Sequence, residues 1–278
     1  MPLHPALARA VAAALSGDEA LERSDRLHFT DAGHGWDRFG LHPDYVALGN
    51  AVAGPLYDHW FRVRSEGHEH IPTTGAAVLA GNHSGTLPLD GAMVWMDVVR
   101  HTEPPRVPRP VADYFVSTLP FLSTLFARCG VVGGSRGNAR ALLDAGELLL
   151  IFPEGVPGIG KRFSERYQLQ NWRVGHVELA IRHGAPVIPF GLVGAEEQMP
   201  QIARIPSPVG ALPYIPIPAT LLPLPVRYHL AYGEPIHFDA TPDQADDPVV
   251  VREGARRVRD AVARLLVRGL SRREGIFT

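Results

Sequence analysis

Apolar residues along this chain switch between two periods, and the switches mark out its elements. Ala76 to Ala80 is an unbroken apolar run between Gly75 and Gly81, as expected of a strand buried on both faces. Glu147 to Phe152 and Pro186 to Leu192 read the same way, and weaker strand patterns cover Val63 to His70, Arg109 to Val116, Val131 to Val132 and Val226 to Tyr232. Helical spacing takes over between them. Tyr45, Val46, Leu48, Val52, Leu56 and Trp60 predict a helix from Pro43 to about Phe61. Ala92, Met93, Val94, Met96 and Val99 supply the buried side of another, which Pro88 and Asp90 would start. Further helices are predicted over Phe121 to Arg128, Asn138 to Leu143, Val174 to His183 and Val249 to Leu270, the last with Val251, Ala255, Val258, Val262 and Leu265 in one stripe. Leu3 to Leu15 is alanine-rich and helix-prone up to Ser16-Gly17, whereas Asp18 to His42 shows no clear period. Strands alternating with helices at these intervals predict βαβ units and a mainly parallel sheet, with no internal repeat.

Composition narrows the picture. A chain of 278 residues with 45% hydrophobic content can bury one substantial core. The net charge of -2 gives no overall attraction to nucleic acid, and no nucleic-acid partner is expected. Cys129 is the only cysteine, so no disulfide forms within the chain, and with no signal peptide at Met1 a cytoplasmic location is expected. The charge-free run Ile205 to Val226 is long enough to span a bilayer as a helix, but its seven prolines rule that out and predict an apolar loop. That loop either lies at an apolar interface or packs on the rest of the protein. Between Arg252 and Glu274 there are eight arginines against three acids, a basic face on a helix that either packs its stripe on the core or lies on anionic lipid.

Candidate chemistry gathers at strand ends. The strand Ala76 to Ala80 delivers Asn82, His83 and Ser84 to a loop at its carboxyl end, where ligands of open α/β sheets bind. His83 followed by Asp90 reads as a general base with an orienting acid. The competing readings are a satisfied structural histidine and an acid that merely suits the first turn of a helix. Gly133 to Gly137 fits the Gly-x-Ser-x-Gly elbow around Ser135, but no convincing acid and histidine follow. Gly155 to Lys161 matches the core of a phosphate-binding loop, yet Arg162 stands where Ser or Thr would hold magnesium, and no clear helix is predicted there. His68-Glu69-His70 has no further ligands at a recognisable spacing and reads as a solvated strand edge, so no metal is expected.

In this order the pieces resemble the glycerolipid acyltransferase family, which includes bacterial 1-acylglycerol-3-phosphate acyltransferases. Asn82, His83 and Asp90 look like its first block, Gly130 and Arg136 its second, Phe152-Pro153-Glu154-Gly155 its third, and Val187 to Phe190 its fourth. Six residues separate His83 from Asp90 where the family pattern has four, so the loop Gly85 to Pro88 must absorb the difference. The resemblance implies an α/β fold: a single domain over 63–278 with a mainly parallel central sheet flanked by helices, and a helical N-terminal extension over 1–62. It also implies transfer of a fatty acyl group from acyl-CoA or acyl carrier protein to the hydroxyl of lysophosphatidic acid or another lysophospholipid, with no cofactor. Diacylglycerol or a fatty alcohol are the alternative acceptors; a Ser135 hydrolase and a noncatalytic lipid-binding protein are the alternative classes. By the same resemblance His83 is the base and Asp90 its orienting acid, Arg136 holds a phosphate, and Glu154 and Gly155 belong to the substrate site. Lys161 and Arg162 would assist with acceptor or carrier phosphates, and the protein would sit peripherally on the inner face of the cell membrane.

Overall fold

The computed structural model describes residues 4–84, 87, 89–113, 116, 120–207 and 214–278. Strands β1 (Arg64–Glu66), β2 (Ala77–Gly81), β3 (Pro108–Ala112), β4 (Val132–Gly133), β5 (Leu148–Ile151), β6 (Val187–Val193) and β9 (His229–Tyr232) form one sheet in the order β1-β9-β6-β2-β5-β3-β4. β4, β3, β5, β2 and β6 are parallel; β9 runs against β6, and β1 follows β9. The result is a mainly parallel sheet whose β1–β9 edge is reversed.

Alternation along the central strands separates two apolar layers. Ala77 and Leu79 of β2, with Leu148 and Leu150 of β5, join a core that includes Met93, Val94 and Met96 of helix α4 (Leu89–His101). Val78, Ala80 and Leu149 face the other way, towards Leu142 of α6 (Arg136–Asp144), Val177 and Ala180 of α8 (Gly175–Arg182), and Val258 of α9 (Pro248–Arg272). Both faces are thus covered, which is why these strands read as continuous apolar runs. Val251, Ala255, Val258, Val262 and Leu265 are all buried, so the stripe of the C-terminal helix packs on the core.

Several elements differ from the sequence expectation. Helix α1 (Pro5–Ser16) starts inside the expected span, whose Leu3 lies outside the described residues; Pro88, expected to begin α4, also lies outside them. Asp18 to Asp25 forms a helix, α2, without a strong apolar stripe. Its Arg23 donates to the carbonyl oxygens of Val99 and Thr102 at 2.9 and 2.7 Å. Helix α3 (Pro43–Pro55) continues as a wide turn over Leu56–Trp60, and α5 (Leu122–Arg128) lies within the span expected from Phe121 to Arg128. Only Arg64–Glu66 of the expected Val63 to His70 strand pairs, and His68–His70 is a single helical turn. Of the loop expected over Ile205 to Val226, Ile205-Pro206 and Tyr214–Pro218 instead pair, in the antiparallel strands β7 (Gln201–Pro206) and β8 (Tyr214–Pro218), while 208–213 lie outside the described residues. A one-turn helix, α7 (Val156–Ile159), follows Gly155 where none was expected.

Candidate active site

Asn82 ends β2 by using its side chain as a further rung of the ladder. Its Nδ2 donates to Leu192 O at 2.9 Å and its Oδ1 accepts from Leu192 N at 2.8 Å, fully buried. The main chain is thereby released, and His83 leaves the sheet. Its Nδ1 lies 2.7 Å from Asp90 Oδ2, which also accepts from the Ser84 amide at 2.9 Å, while Oδ1 accepts from the Gly91 amide at 2.7 Å. Asp90 is wholly buried and sits in the first turn of α4. Three donors on one buried carboxylate fix the tautomer: Nδ1 carries the proton and Nε2 the lone pair. The six intervening residues do not keep Asp90 from the imidazole; Gly85, Thr86 and Pro88 among them lie outside the described residues.

The third motif closes over this pair. Phe152 stacks on the His83 ring at 4.2 Å between centroids, 22° from parallel. Glu154 is buried, its Oε2 accepting from the Gln170 amide at 3.1 Å and facing Lys161 Nζ at 3.3 Å, while Oε1 is buried with no hydrogen-bond partner. Gly155 has φ 58°, a conformation favouring glycine, and its amide donates to Phe152 O at 3.0 Å. That amide and the Ser84 amide are therefore already engaged, and neither is free to receive an oxyanion.

The basic residues stand apart from the histidine in different ways. Lys161 is buried between Glu154 and Glu196, the latter 2.9 Å from its Nζ. Arg162 is exposed, at a small crevice it shares with Lys161, Phe163, Arg166 and Glu196. Arg136 is the first residue of α6, its side chain 78% exposed and 3.6 Å from Glu178 Oε2. Ser135 is the N-cap of α6, its Oγ accepting from the Asn138 amide at 3.1 Å, a structural use of the hydroxyl that accounts for the Gly-x-Ser-x-Gly pattern.

Glu196 and Phe152 gained no separate place in the sequence reading. Glu196 follows β6, whose carboxyl end lies beside that of β2, so the strand-end rule that singled out His83 also points to it. His68, by contrast, pairs with residues distant in sequence. It lies 3.3 Å from Asp97, which also meets His101 at 3.3 Å and accepts from the Tyr57 and Tyr232 hydroxyls. The His68 and His101 rings stack at 4.0 Å and 15°. His68, expected at a solvated strand edge, instead joins a cluster around the buried Asp97 carboxylate, in which ligand atoms of His68, Asp97 and His101 lie within 4.8 Å of one another.

A histidine held by a buried carboxylate at the end of a parallel strand, under a Phe-Pro-Glu-Gly loop, points to acyl transfer, and residues 62–193 match the family model described as Acyltransferase. Over that stretch the chain is a member of the Acyltransferase family. It is 38% identical over 259 residues to Uncharacterized protein Rv0502 of Mycobacterium tuberculosis, a span that covers 87% of this chain and 71% of that protein. The identity to Uncharacterized protein ML2427 of Mycobacterium leprae is 37%, over 87% of this chain and 69% of the relative. Among solved structures, the 1-acyl-sn-glycerophosphate (LPA) acyltransferase PlsC from Thermotoga maritima matches with a TM-score of 0.58 at 18% identity, covering 98% of this chain and 96% of that one. That likeness is one of fold.

Proposed function

We propose that this protein moves a fatty acyl group from an acyl thioester, acyl-CoA or acyl carrier protein, to a hydroxyl of a lysophospholipid, lysophosphatidic acid first among them. The observation that carries this reading is the 2.7 Å contact of His83 Nδ1 with buried Asp90, which leaves Nε2 as the base. An alcohol attacks a thioester slowly because it holds its proton. His83 Nε2 takes that proton as the hydroxyl oxygen bonds to the carbonyl carbon, and Asp90 stabilises the imidazolium. The carbon–sulfur bond then breaks, and the imidazolium returns the proton to the departing thiolate. Such base catalysis contributes about a hundred to ten thousand fold.

A second acceptor class has its own support. Arg136 faces Glu178, and Lys161 is already matched by two carboxylates, so neither of these cations stands unpaired beside His83. A neutral acceptor, diacylglycerol or a fatty alcohol, needs no such cation.

The reading also places the protein on a lipid surface, peripherally at the inner face of the cell membrane. Leu87 in the His83 loop, Phe121 beyond β3, the β7–β8 hairpin beyond β6 and Leu221-Leu222 before β9 all connect at the sheet end that carries His83. Phe121 is 82% exposed, Leu221 95% and Leu222 75%. Among the described residues, no helix is long and apolar enough to cross a membrane. Thiol release from acyl-CoA, measured with lysophosphatidic acid, other lysophospholipids, diacylglycerol and fatty alcohol beside a His83→Ala variant, tests the reading. Release that needs one acceptor, yields its ester and falls at least a hundredfold in the variant is expected. Release without acceptor, or unchanged in folded His83→Ala, would sink it.

A further inference from the structure

Asp97 is a wholly buried carboxylate on α4, and the bases that face it are two imidazoles instead of a lysine or arginine. Buried charges are either paired or bound to metal, and this one is framed as a ligand would be. The Tyr232 hydroxyl donates to its Oδ2 at 2.8 Å, and the Tyr57 hydroxyl donates to Oδ1. Each carboxylate oxygen has two lone-pair directions, so each keeps one for the histidines. His68 Nε2 stands 3.3 Å from Oδ2 and His101 Nδ1 3.3 Å from Oδ1. A hydrogen bond between an imidazolium and a carboxylate closes to about 2.7 to 2.9 Å, whereas two ligand atoms held about 2.0 to 2.1 Å from one tetrahedral zinc are about 3.3 Å apart. The observed spacings match the second case. His68 Nε2 also meets Ser65 Oγ, and His101 Nδ1 the Asp97 carbonyl oxygen, each at 2.9 Å, local contacts that coordination would exchange.

We propose that His68, Asp97 and His101 form a binding site for a divalent transition-metal ion, zinc above all, which fastens the turn after β1 to helix α4. Asp97 and His101 lie one helical turn apart on the same face, and His68 arrives from a separate element, the way helix-borne zinc sites collect their ligands. Imidazole and carboxylate suit zinc, and a water from the solvent side completes the tetrahedron. The side chains of His68 and His101 are 23% and 38% exposed, which gives an ion its way in, while the two tyrosine hydroxyls fix the carboxylate from the protein side. The three ligand atoms lie within 4.8 Å of one another, so coordination draws them in by about an ångström and tilts the stacked rings apart. The histidines adjacent in sequence are not the pair that matters: His70 Nδ1 lies 3.3 Å from Tyr232 O instead. The site does not depend on the acyl-transfer reading, since Asp97 is two helical turns beyond Asp90, about 10 Å along α4.

The test titrates the whole chain, after treatment with a chelator, with cobalt(II) and with zinc. Cobalt is expected to bind one ion per chain with the strong visible bands of a tetrahedral site, zinc to displace it, and zinc at a hundred times its Kd to raise Tm by about 5 °C. His101→Ala and His68→Gln each remove one ligand from a partly exposed position. Each is expected to weaken cobalt binding about a hundredfold or more and to abolish the rise in Tm, and where one of them fails to fold the other decides. Tyr232→Phe, which keeps all three ligands, should weaken binding about tenfold, and His70→Ala should leave it unchanged. Cobalt binding no tighter in the wild type than in the folded ligand variants, or bound zinc that leaves Tm where it was, overturns the inference. Neither result touches acyl transfer, which the His83→Ala comparison reads separately.

Discussion

Gly158 is a residue whose absent side chain matters as much as any present one. The neighbours of its missing Cβ are Glu154 Cβ and His83 Cβ at 2.9 Å and His83 O at 3.1 Å, all close to the main chain, with no flexible tip to swing aside. Gly158→Ala therefore forces the loop and the histidine apart. We expect kcat/KM to fall about a hundredfold while the circular-dichroism spectrum is kept, because misplacement of about an ångström at a reacting centre has that effect. Unchanged turnover would show that the Glu154 loop need not close on His83. At this scale the site was half legible. His83 and Glu154 announce themselves because each sits in a short motif at a strand end, and Asp90 because it opens the helix that follows His83. Glu196 does not, since its meaning depends on a lysine from a different loop arriving within 2.9 Å.

Helix α8 carries an ionisable group that the fold keeps neutral. Burial holds the His176 imidazole down at about 4; its Nδ1 meets Arg173 O at 2.9 Å, and its Nε2 is buried without a partner. The unfolded chain takes up a proton near the ordinary histidine value that the folded chain refuses, so this group removes stability as pH falls from about 6.5 towards 4. Its contribution between pH 7 and 5 is about 2 kcal/mol. Glu196 acts with the opposite sign: its raised value favours the folded state at acid pH, an advantage lost as pH rises towards about 7. The two flatten one another in the wild type. In His176→Phe the histidine limb disappears, and urea titrations should find the variant gaining about 2 kcal/mol on the wild type between pH 7 and 5; a constant difference across that window would mean that His176 does not titrate there. Element boundaries follow the same logic of what the chain can signal. The buried strands β2, β5 and β6 were plain because both faces are covered. The β7–β8 hairpin was hidden by its prolines, which are tolerated because in a two-stranded sheet each strand is an edge and Pro206, Pro216 and Pro218 need not donate to a second neighbour. Helix α2 was hidden because tertiary bonds from Arg23 help to hold it where an apolar stripe would ordinarily do so.

At the scale of the whole molecule, chemistry and exposed apolar surface share one end of the sheet. Leu221→Asp with Leu222→Asp should lower binding to liposomes about tenfold or more and spare turnover of a monomeric short-chain acceptor, since neither residue is among the contacts of His83, Asp90 or Glu154. Equal loss with both substrates would assign the pair to folding or to the acyl tunnel instead. The opposite concern, how such a sheet is assembled, turns on the reversed edge. β1 pairs with β9, Arg64 against His229 and Glu66 against Ala231. On a ribosome β1 is made before the other strands of this sheet, and its hydrogen-bonding partner emerges only after the sheet's parallel strands have been made. The strands β2, β3, β5 and β6 can gather in the order of their synthesis, while β1 waits with an open edge for the tail of the chain. The strand of this sheet that is born first is seated last, and its short, charged Arg64-Ser65-Glu66 run is poorly suited to pair with another chain in the interval.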